Sequence, residues 1–66
     1  MKLIINGKES EVSGGLTIAG LLEEKGLNPE IVIIEHNLEL VKSESWPDIV
    51  LKENDRLEIL SFVGGG

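Results

Sequence analysis

The sequence predicts an α+β domain in which one main α-helix lies across one face of a mixed sheet of four to five strands. Three observations lead to this fold class: short runs of β-branched or alternating apolar residues, one segment with apolar residues at helical spacing, and turn-forming residues between them. A helix against one side of a sheet buries the apolar face of both. The 66 residues are few, so we expect one domain over residues 1–63 and a flexible glycine tail at residues 64–66.

The first two strands are predicted to form a β-hairpin. Residues 1–5 are an apolar run, and residues 8–12 are a more polar return strand. Asn6 and Gly7 stand between them, and this dipeptide is the strongest short-range signal for a hairpin turn.

The helix is predicted to begin after Thr17 and to end at Gly26. Thr17 suits the N-cap, and Leu16 before it can pack onto the first turns. Gly26 suits the left-handed residue that follows a last helical turn, and Pro29 prevents continuation of the helix. The apolar residues that share one face of this helix are Ile18, Leu21 and Leu22.

Residues 31–34 are predicted to form a central strand that is buried on both sides. All four are β-branched, and the run is too short for a helix. His36 and Asn37 mark a turn, and residues 38–41 form a short strand after it. If the helix crosses between the second strand and this one, the first and last strands lie parallel in the middle of the sheet.

The segment between the short strand and the last strand is predicted to be irregular or 3₁₀-helical. It contains the single tryptophan, Trp46, followed by Pro47, and the indole is interpreted as a packing anchor. Asn54 lies in a polar turn and can take the left-handed conformation. The last strand starts near Arg56 and leads into the glycines.

Alternation along the first and last strands separates a core face from an outer face. Ile4, Leu60 and Phe62 fall on the outer face and are predicted to form an exposed apolar patch for partner docking, because one helix covers only one side of the sheet. The alternative is that Phe62 folds over a loop and that the others are ordinary exposed apolar residues. The residues predicted to face the core are Leu3, Ile5, Leu57 and Ile59.

The chain is strongly acidic, with 12 Asp and Glu residues against 6 Lys and Arg residues and a net charge of -6. This balance repels nucleic acid phosphates and anionic membranes, so we expect neither as a partner. It fits steering toward a basic partner surface or simple solubility, and both stay open. The acidic residues assigned to the solvated surface are Glu9, Glu11, Glu23, Glu24, Glu53, Asp55 and Glu58.

Cysteine is absent from the chain, and His36 is the single histidine. Without cysteine there is no disulfide or thiolate metal site, so His36 is interpreted as a turn residue and not as a catalytic base or metal ligand. No apolar stretch is long enough to cross a bilayer, and residues 1–5 lack the pattern of a secretory signal. We therefore expect a soluble, cytoplasmic protein.

The most informative feature for function is the run Gly64, Gly65 and Gly66 directly after the last strand. Three consecutive glycines at one chosen position arise by chance about once in a few thousand chains. Because glycine has no Cβ, such an end can thread a narrow channel and present the Gly66 carboxylate inside a partner's active site. The alternative is a frayed terminus or an expression scar.

The complete pattern resembles the ThiS family, the sulfur carrier proteins of thiamine biosynthesis, which have the ubiquitin-like β-grasp fold. The resemblance extends over the whole chain, although no single internal motif is specific. The features that carry it are Asn6 and Gly7, the helix over residues 17–25, residues 33–37, Trp46, Asn54 and Asp55, and residues 57–59 leading to Gly65 and Gly66.

The resemblance implies a sulfur carrier that performs no catalysis, binds no cofactor itself and works as a monomer. A ThiF-type adenylating enzyme would use ATP and Mg²⁺ to activate the Gly66 carboxylate, and sulfur would then convert it to a thiocarboxylate. In many members the sulfur is relayed from cysteine through a desulfurase. Thiazole synthase (ThiG) would take the sulfur from Gly66. Gly65 would avoid a side-chain clash at the active site, and Gly64 would lengthen the arm.

Three alternatives to this interpretation stay open. One is a carrier for molybdopterin or another sulfur-containing metabolite. Another is a ubiquitin-like modifier whose Gly66 is joined to a lysine of a target protein, and the last is an interaction domain with inert glycines. An independent enzyme is not indicated, because no nucleophile, acid–base pair or phosphate-binding loop stands out.

Overall fold

The computed structural model describes residues 1–62, so the predicted tail residues Gly64, Gly65 and Gly66 lie outside the described residues. The described part is α+β, as predicted, with one α-helix and five strands. The elements are β1 (Lys2–Ile5), β2 (Lys8–Glu11), α1 (Ile18–Lys25), β3 (Val32–His36), β4 (Glu39–Val41) and β5 (Arg56–Ser61), with 3₁₀ segments at Pro29–Ile31 and Ser43–Asp48.

The five strands form one mixed sheet in the order β2-β1-β5-β3-β4. β1 and β5 are parallel neighbours in the middle, and the other neighbouring strands are antiparallel. The predicted parallel pairing of the first and last strands is therefore confirmed. As a consequence, β5, the strand that precedes the glycines, is the central strand of the sheet.

The hairpin between β1 and β2 turns on two left-handed residues, Asn6 at φ 51° and Gly7 at φ 82°. Two consecutive positive φ angles match the right-handed twist of the paired strands, which explains the Asn-Gly sequence. Asn6 has a second role, because its Oδ1 accepts from the Ile59 amide at 2.7 Å and its Nδ2 donates to the Ile59 carbonyl at 3.2 Å. The hairpin turn is thereby tied to β5.

The ends of α1 are as the sequence predicts. Thr17 Oγ1 accepts from the Gly20 amide at 3.0 Å, which satisfies one of the free amides of the first turn. At the other end Gly26 is left-handed at φ 69°, and the Leu27 amide donates to the Leu22 carbonyl at 2.9 Å. This Schellman-type ending closes the helix before Pro29.

The core lies between α1 and the inner face of the sheet, and the predicted core residues of β1 and β5 are all buried. Trp46 extends this core under the second 3₁₀ segment, and its Nε1 donates to the Val41 carbonyl at 3.2 Å. Each buried Leu or Ile side chain stabilises the fold by about 1.5–3 kcal/mol. The core residues are Leu3, Ile5, Ile18, Leu21, Leu22, Val32, Ile34, Trp46, Leu51, Leu57 and Ile59.

The prediction that residues 31–34 are buried on both sides is wrong. Val32 and Ile34 are buried, at 6% and 0% exposure, whereas Ile33 between them is 41% exposed. The reason is that α1 packs on the inner face only, so every second residue of β3 points to the open outer face. The composition of this run is typical of a strand that is buried on both faces, but only one face of β3 is buried.

The turn after β3 also differs from the prediction by one residue. His36 is the last residue of β3, and the turn consists of Asn37 at φ 50° and Leu38 at φ 73°. A leucine in the left-handed region is strained, since its Cβ approaches the backbone. Asn54, by contrast, takes the left-handed conformation predicted for it, at φ 69°.

Candidate functional site

The sequence predicts that the functional site is the glycine end, and the structure shows how the residues just before it are held. Ser61, the last residue of β5, lies opposite Val32 of β3. The next residue is also held, because the Phe62 amide donates to the Ile31 carbonyl at 2.9 Å. The backbone is therefore anchored to the sheet up to the last described residue.

An apolar surface lies on the outer face beside this departure point. Leu60 is 56% exposed and Phe62 is 51% exposed, and Ile33 lies directly opposite Leu60 on β3. Leu40 of β4 is 69% exposed one row further along the same face. Grouped large apolar side chains on an open face are typical of a partner-binding surface. We call the set Ile33, Leu40, Leu60 and Phe62 the outer patch.

Ile4, which the sequence placed with Leu60 and Phe62, lies apart from the outer patch. It is partly buried and lies opposite Arg56, and Leu60 follows four residues later on β5. At the usual rise of a strand this separates them by about 13 Å. The structure thus brings together Leu60 and Phe62 but not Ile4, and a docking role for the three residues stays a prediction.

Ile33 and Leu40 are members of the outer patch that the sequence reasoning missed. The signal that could have found them is the single helix, because one helix leaves one face of every strand uncovered. For residues 31–34, that argument predicts an exposed Ile33, as the structure shows. Leu40 then follows from the antiparallel turn after β3, which sets Leu40 opposite Glu35 on the same face.

Two carboxylates interrupt the outer patch. Glu35 of β3 and Glu58 of β5 are directly opposite each other, and Leu40 is the next residue across the sheet. Among residues 1–62, no Lys or Arg nitrogen lies within 4.0 Å of either carboxylate. Like charges directly opposite each other on a sheet are unfavourable. The face therefore combines exposed apolar area with two carboxylates that have no ion-pair partner within 4.0 Å among the described residues.

The opposite end of β5 is a polar network built around Asp55. The His36 ring donates from Nε2 to Asp55 Oδ2 at 2.9 Å, and the Lys52 amide donates to the same oxygen at 2.9 Å. Asn37 Nδ2 donates to Asp55 Oδ1 at 3.2 Å. Asp55 is thus a partnered carboxylate, and its side chain is only 13% exposed. Its assignment to the solvated surface is wrong, and His36 is a partner of Asp55 at the end of a strand.

Two opposing effects set the acidity of Asp55. Burial raises the pKa of the Asp55 carboxyl, but the hydrogen bonds from the His36 ring, the Lys52 amide and Asn37, with the attraction of His36, together outweigh burial. The pKa of Asp55 is therefore held below its ordinary value. The ionised carboxylate keeps the β3–β4 turn and the start of β5 together, so the network has a structural explanation.

An open groove of about 690 Å³ continues from the outer patch around the edge of β4. Pro29, Trp46 and Pro47 form part of its wall, and Ile33 and Leu40 belong to both surfaces. In the part of the chain that the structure describes, no group of three or more His, Cys, Asp or Glu side chains could hold a metal ion.

No helix among residues 1–62 combines the length and the apolar character needed to cross a membrane.

Comparison with known proteins gives consistent relatives. The ThiS family model matches residues 3–66. The sulfur carrier protein ThiS of Bacillus subtilis is 38% identical over 65 residues, which cover 97% of this chain and 98% of that protein. A thiazole synthase of Paramagnetospirillum magneticum is 42% identical over all 66 residues, but the chain spans only 20% of its length.

A solved structure shares the complete fold. The crystal structure of the thiamine biosynthesis protein ThiS from Geobacter metallireducens superposes with a TM-score of 0.86 at 35% sequence identity, and the alignment covers 100% of both chains. The sheet and helix described above therefore have an experimentally determined counterpart.

Proposed function

The chain belongs to the ThiS family and has its ubiquitin-like β-grasp fold, and from this premise we propose that it is a sulfur carrier for thiazole formation in thiamine biosynthesis. The observation that carries the proposal is the match to the Bacillus subtilis sulfur carrier protein ThiS over nearly the whole length of both chains. The family match runs to residue 66, so it includes the glycine residues on which the chemistry depends.

The proposed chemistry takes place on the carboxylate of Gly66. A carboxylate is a poor electrophile, so a ThiF-type partner that holds ATP and Mg²⁺ first activates it. A carboxylate oxygen attacks the α-phosphorus of ATP, and pyrophosphate leaves. Hydrosulfide, whose sulfur is already at the oxidation level of the product, then attacks the acyl carbon. The C–S bond forms, the bond to AMP breaks, and a thiocarboxylate remains on Gly66.

The carrier's residues contribute access and placement, while the catalytic groups belong to the partners. Gly65 has no side chain to collide with bound nucleotide, and Gly64 adds reach. Ser61 pairs with Val32 of β3, and the Phe62 amide bonds to the Ile31 carbonyl just before β3, so the backbone is held up to the last described residue. We propose that the reaction takes place in the cytoplasm, where ATP is available.

Thiazole synthase is proposed as the acceptor of the sulfur. Its support is that relatives named thiazole synthase contain a segment similar to this whole chain as one fifth of their own length. Joining two functional units in one polypeptide raises their effective concentration and is useful when they act on each other.

The outer patch is the proposed docking surface for the adenylating enzyme. Leu60 and Phe62 are its members nearest to the glycines in the sequence. Ile4 is a weaker candidate, because it lies about 13 Å along the sheet from Leu60.

A reconstituted reaction tests the proposal. The full chain and a variant without Gly66 are each incubated with ATP, Mg²⁺, sulfide, a ThiF-type enzyme and thiazole synthase with its other substrates. We expect the thiazole product, measured by chromatography, only with the full chain. Equal thermal unfolding of the two proteins is the control for folding.

Three outcomes contradict the proposal in different ways. A thiazole product that forms equally without Gly66 shows that the tail is inert. A thiocarboxylate that thiazole synthase does not consume indicates a carrier for another sulfur product. Adducts that join Gly66 to protein lysines indicate a modifier.

A further inference from the structure

The outer patch contains a feature that the fold itself does not explain. Glu35 and Glu58 lie opposite each other on neighbouring antiparallel strands, where opposed Cβ atoms are about 4.5–5.5 Å apart. Glu35 is partly buried and Glu58 is exposed. Their row lies next to that of Ile33 and Leu60, so the two carboxylates border apolar side chains.

No Lys or Arg nitrogen of the described residues forms a close ion pair with Glu35 or Glu58. Arg56 lies on the same face two residues before Glu58, and Lys42 follows β4 beside the patch, yet neither is within 4.0 Å of Glu35 or Glu58 among residues 1–62. By comparison, Glu9 on β2 is paired with Lys2 at 3.6 Å. Among the described residues, the outer face therefore has a close ion pair on its β1–β2 side and none at Glu35 and Glu58.

We propose that Glu35 and Glu58 together bind one arginine of the adenylating partner, in a complex whose apolar contacts are made by Ile33, Leu40, Leu60 and Phe62. The inference rests on the proposed function for the identity of the partner. An arginine fits because its planar guanidinium has five donors and can reach both carboxylates at once. The surrounding apolar contacts exclude water, which strengthens this interaction.

The charge of this face argues against a second copy of the chain as its occupant. Each copy carries a net charge of -6, and pairing two outer patches would bring four carboxylates together. A basic partner surface meets the same four apolar side chains without that repulsion. The charge of the patch thus selects the kind of partner.

The test measures binding and stability in one pair of variants. In the first variant Glu35→Gln and Glu58→Gln are combined, and the dissociation constant for a ThiF-type adenylating enzyme is measured by calorimetry without ATP. We expect binding about tenfold weaker or more, because two charge-assisted contacts are lost. We also expect the urea midpoint of the free variant to stay equal or to rise, since the opposed charges are removed.

The matched control combines Glu23→Gln and Glu24→Gln on α1, which is on the other side of the sheet. It changes the net charge equally, and both side chains are exposed. We expect less than a twofold effect on binding. Wild-type affinity in the first variant, equal weakening in both variants, or no binding by the wild-type carrier would each overturn the proposal.

Conversion of Gly66 to a thiocarboxylate, followed by mass spectrometry at saturating enzyme, separates this inference from the proposed function. Conversion of the wild-type chain together with unchanged binding of the first variant removes the arginine contact and leaves the carrier function intact. Failure to convert the wild-type chain with an enzyme active on its own carrier removes the function on which the inference rests.

Discussion

The two faces of the sheet are made by the same strands and differ in burial, because one face packs against α1 and the other is open. On β5, Leu57 and Ile59 are 0% and 8% exposed, whereas Leu60 is 56% exposed. On β3, Ile34 is 0% exposed and Ile33 is 41% exposed. These are similar aliphatic side chains one residue apart, so residue type alone does not decide their role.

The position of the helix determines which of these side chains are buried. α1 covers the inner face and supplies Ile18, Leu21 and Leu22 to the core, while no helix of the described residues covers the outer patch. Apolar residues on the inner face therefore stabilise the fold, and those on the outer face remain available for a partner. Substitutions on the two faces should accordingly change different measured quantities.

The largest expected effect is on the inner face. Leu57→Ala should lower the free energy of unfolding by about 2–5 kcal/mol, because it leaves a cavity in the core. Leu60→Ala is the matched control, with the same change on the same strand, and it should cost less than about 0.5 kcal/mol. Urea denaturation measures both. A similar loss for the two variants would show that the faces are not energetically distinct.

A second contrast is between two carboxylates, Asp55, which accepts hydrogen bonds, and Glu58, which has no close ion-pair partner among the described residues. Asp55 accepts hydrogen bonds from the His36 ring and the Lys52 amide, so Asp55→Asn should lower the free energy of unfolding by about 1–3 kcal/mol at pH 7. Glu58→Gln, in which an unpartnered carboxylate is neutralised, should leave stability equal or raise it. Chemical denaturation distinguishes the two, and destabilisation by Glu58→Gln would contradict the account of the outer face.

The pH dependence of stability follows from Asp55. Its pKa is lowered in the folded protein, so its contribution is complete above the unfolded pKa of about 3.9 and is lost as the pH falls through the folded pKa. The difference in unfolding free energy between the wild type and Asp55→Asn should therefore shrink between pH 5 and pH 2. A difference that stays constant over this range would show that Asp55 acts by shape and not by charge.

The smallest expected effect on stability belongs to Phe62. Phe62→Glu should weaken binding of the adenylating enzyme about tenfold, because it adds a charge to an already acidic apolar surface, while thermal unfolding stays unchanged. Ile4→Glu tests the residue that lies about 13 Å along the sheet and should weaken binding less. Unchanged calorimetric affinity for Phe62→Glu would remove the outer patch as a docking surface.

Much of the fold could be predicted because its signals are local. Asn6 and Gly7 specified the hairpin, Thr17 and Gly26 specified the ends of the helix, and alternation gave the core residues of β1 and β5. Each of these depends on neighbours in the chain or on a short repeat along one element. The predicted fold class and the order of the elements are confirmed for the same reason.

What could not be predicted depends on pairing between distant segments. The register of β1 against β5 sets Ile4 opposite Arg56 and away from Leu60. The contact between His36 and Asp55 joins residues 19 positions apart. Ile33 was missed for a different reason, since a run of β-branched residues has no polar alternation to show which side is open.

The most direct test of the carrier function is intact and peptide mass spectrometry of the chain after incubation with ATP, Mg²⁺, sulfide and the adenylating enzyme. The account predicts a mass increase equal to one sulfur replacing one oxygen, located at Gly66, which disappears when thiazole synthase and its substrates are added. An unchanged Gly66 in the presence of an enzyme active on its own carrier would contradict the account.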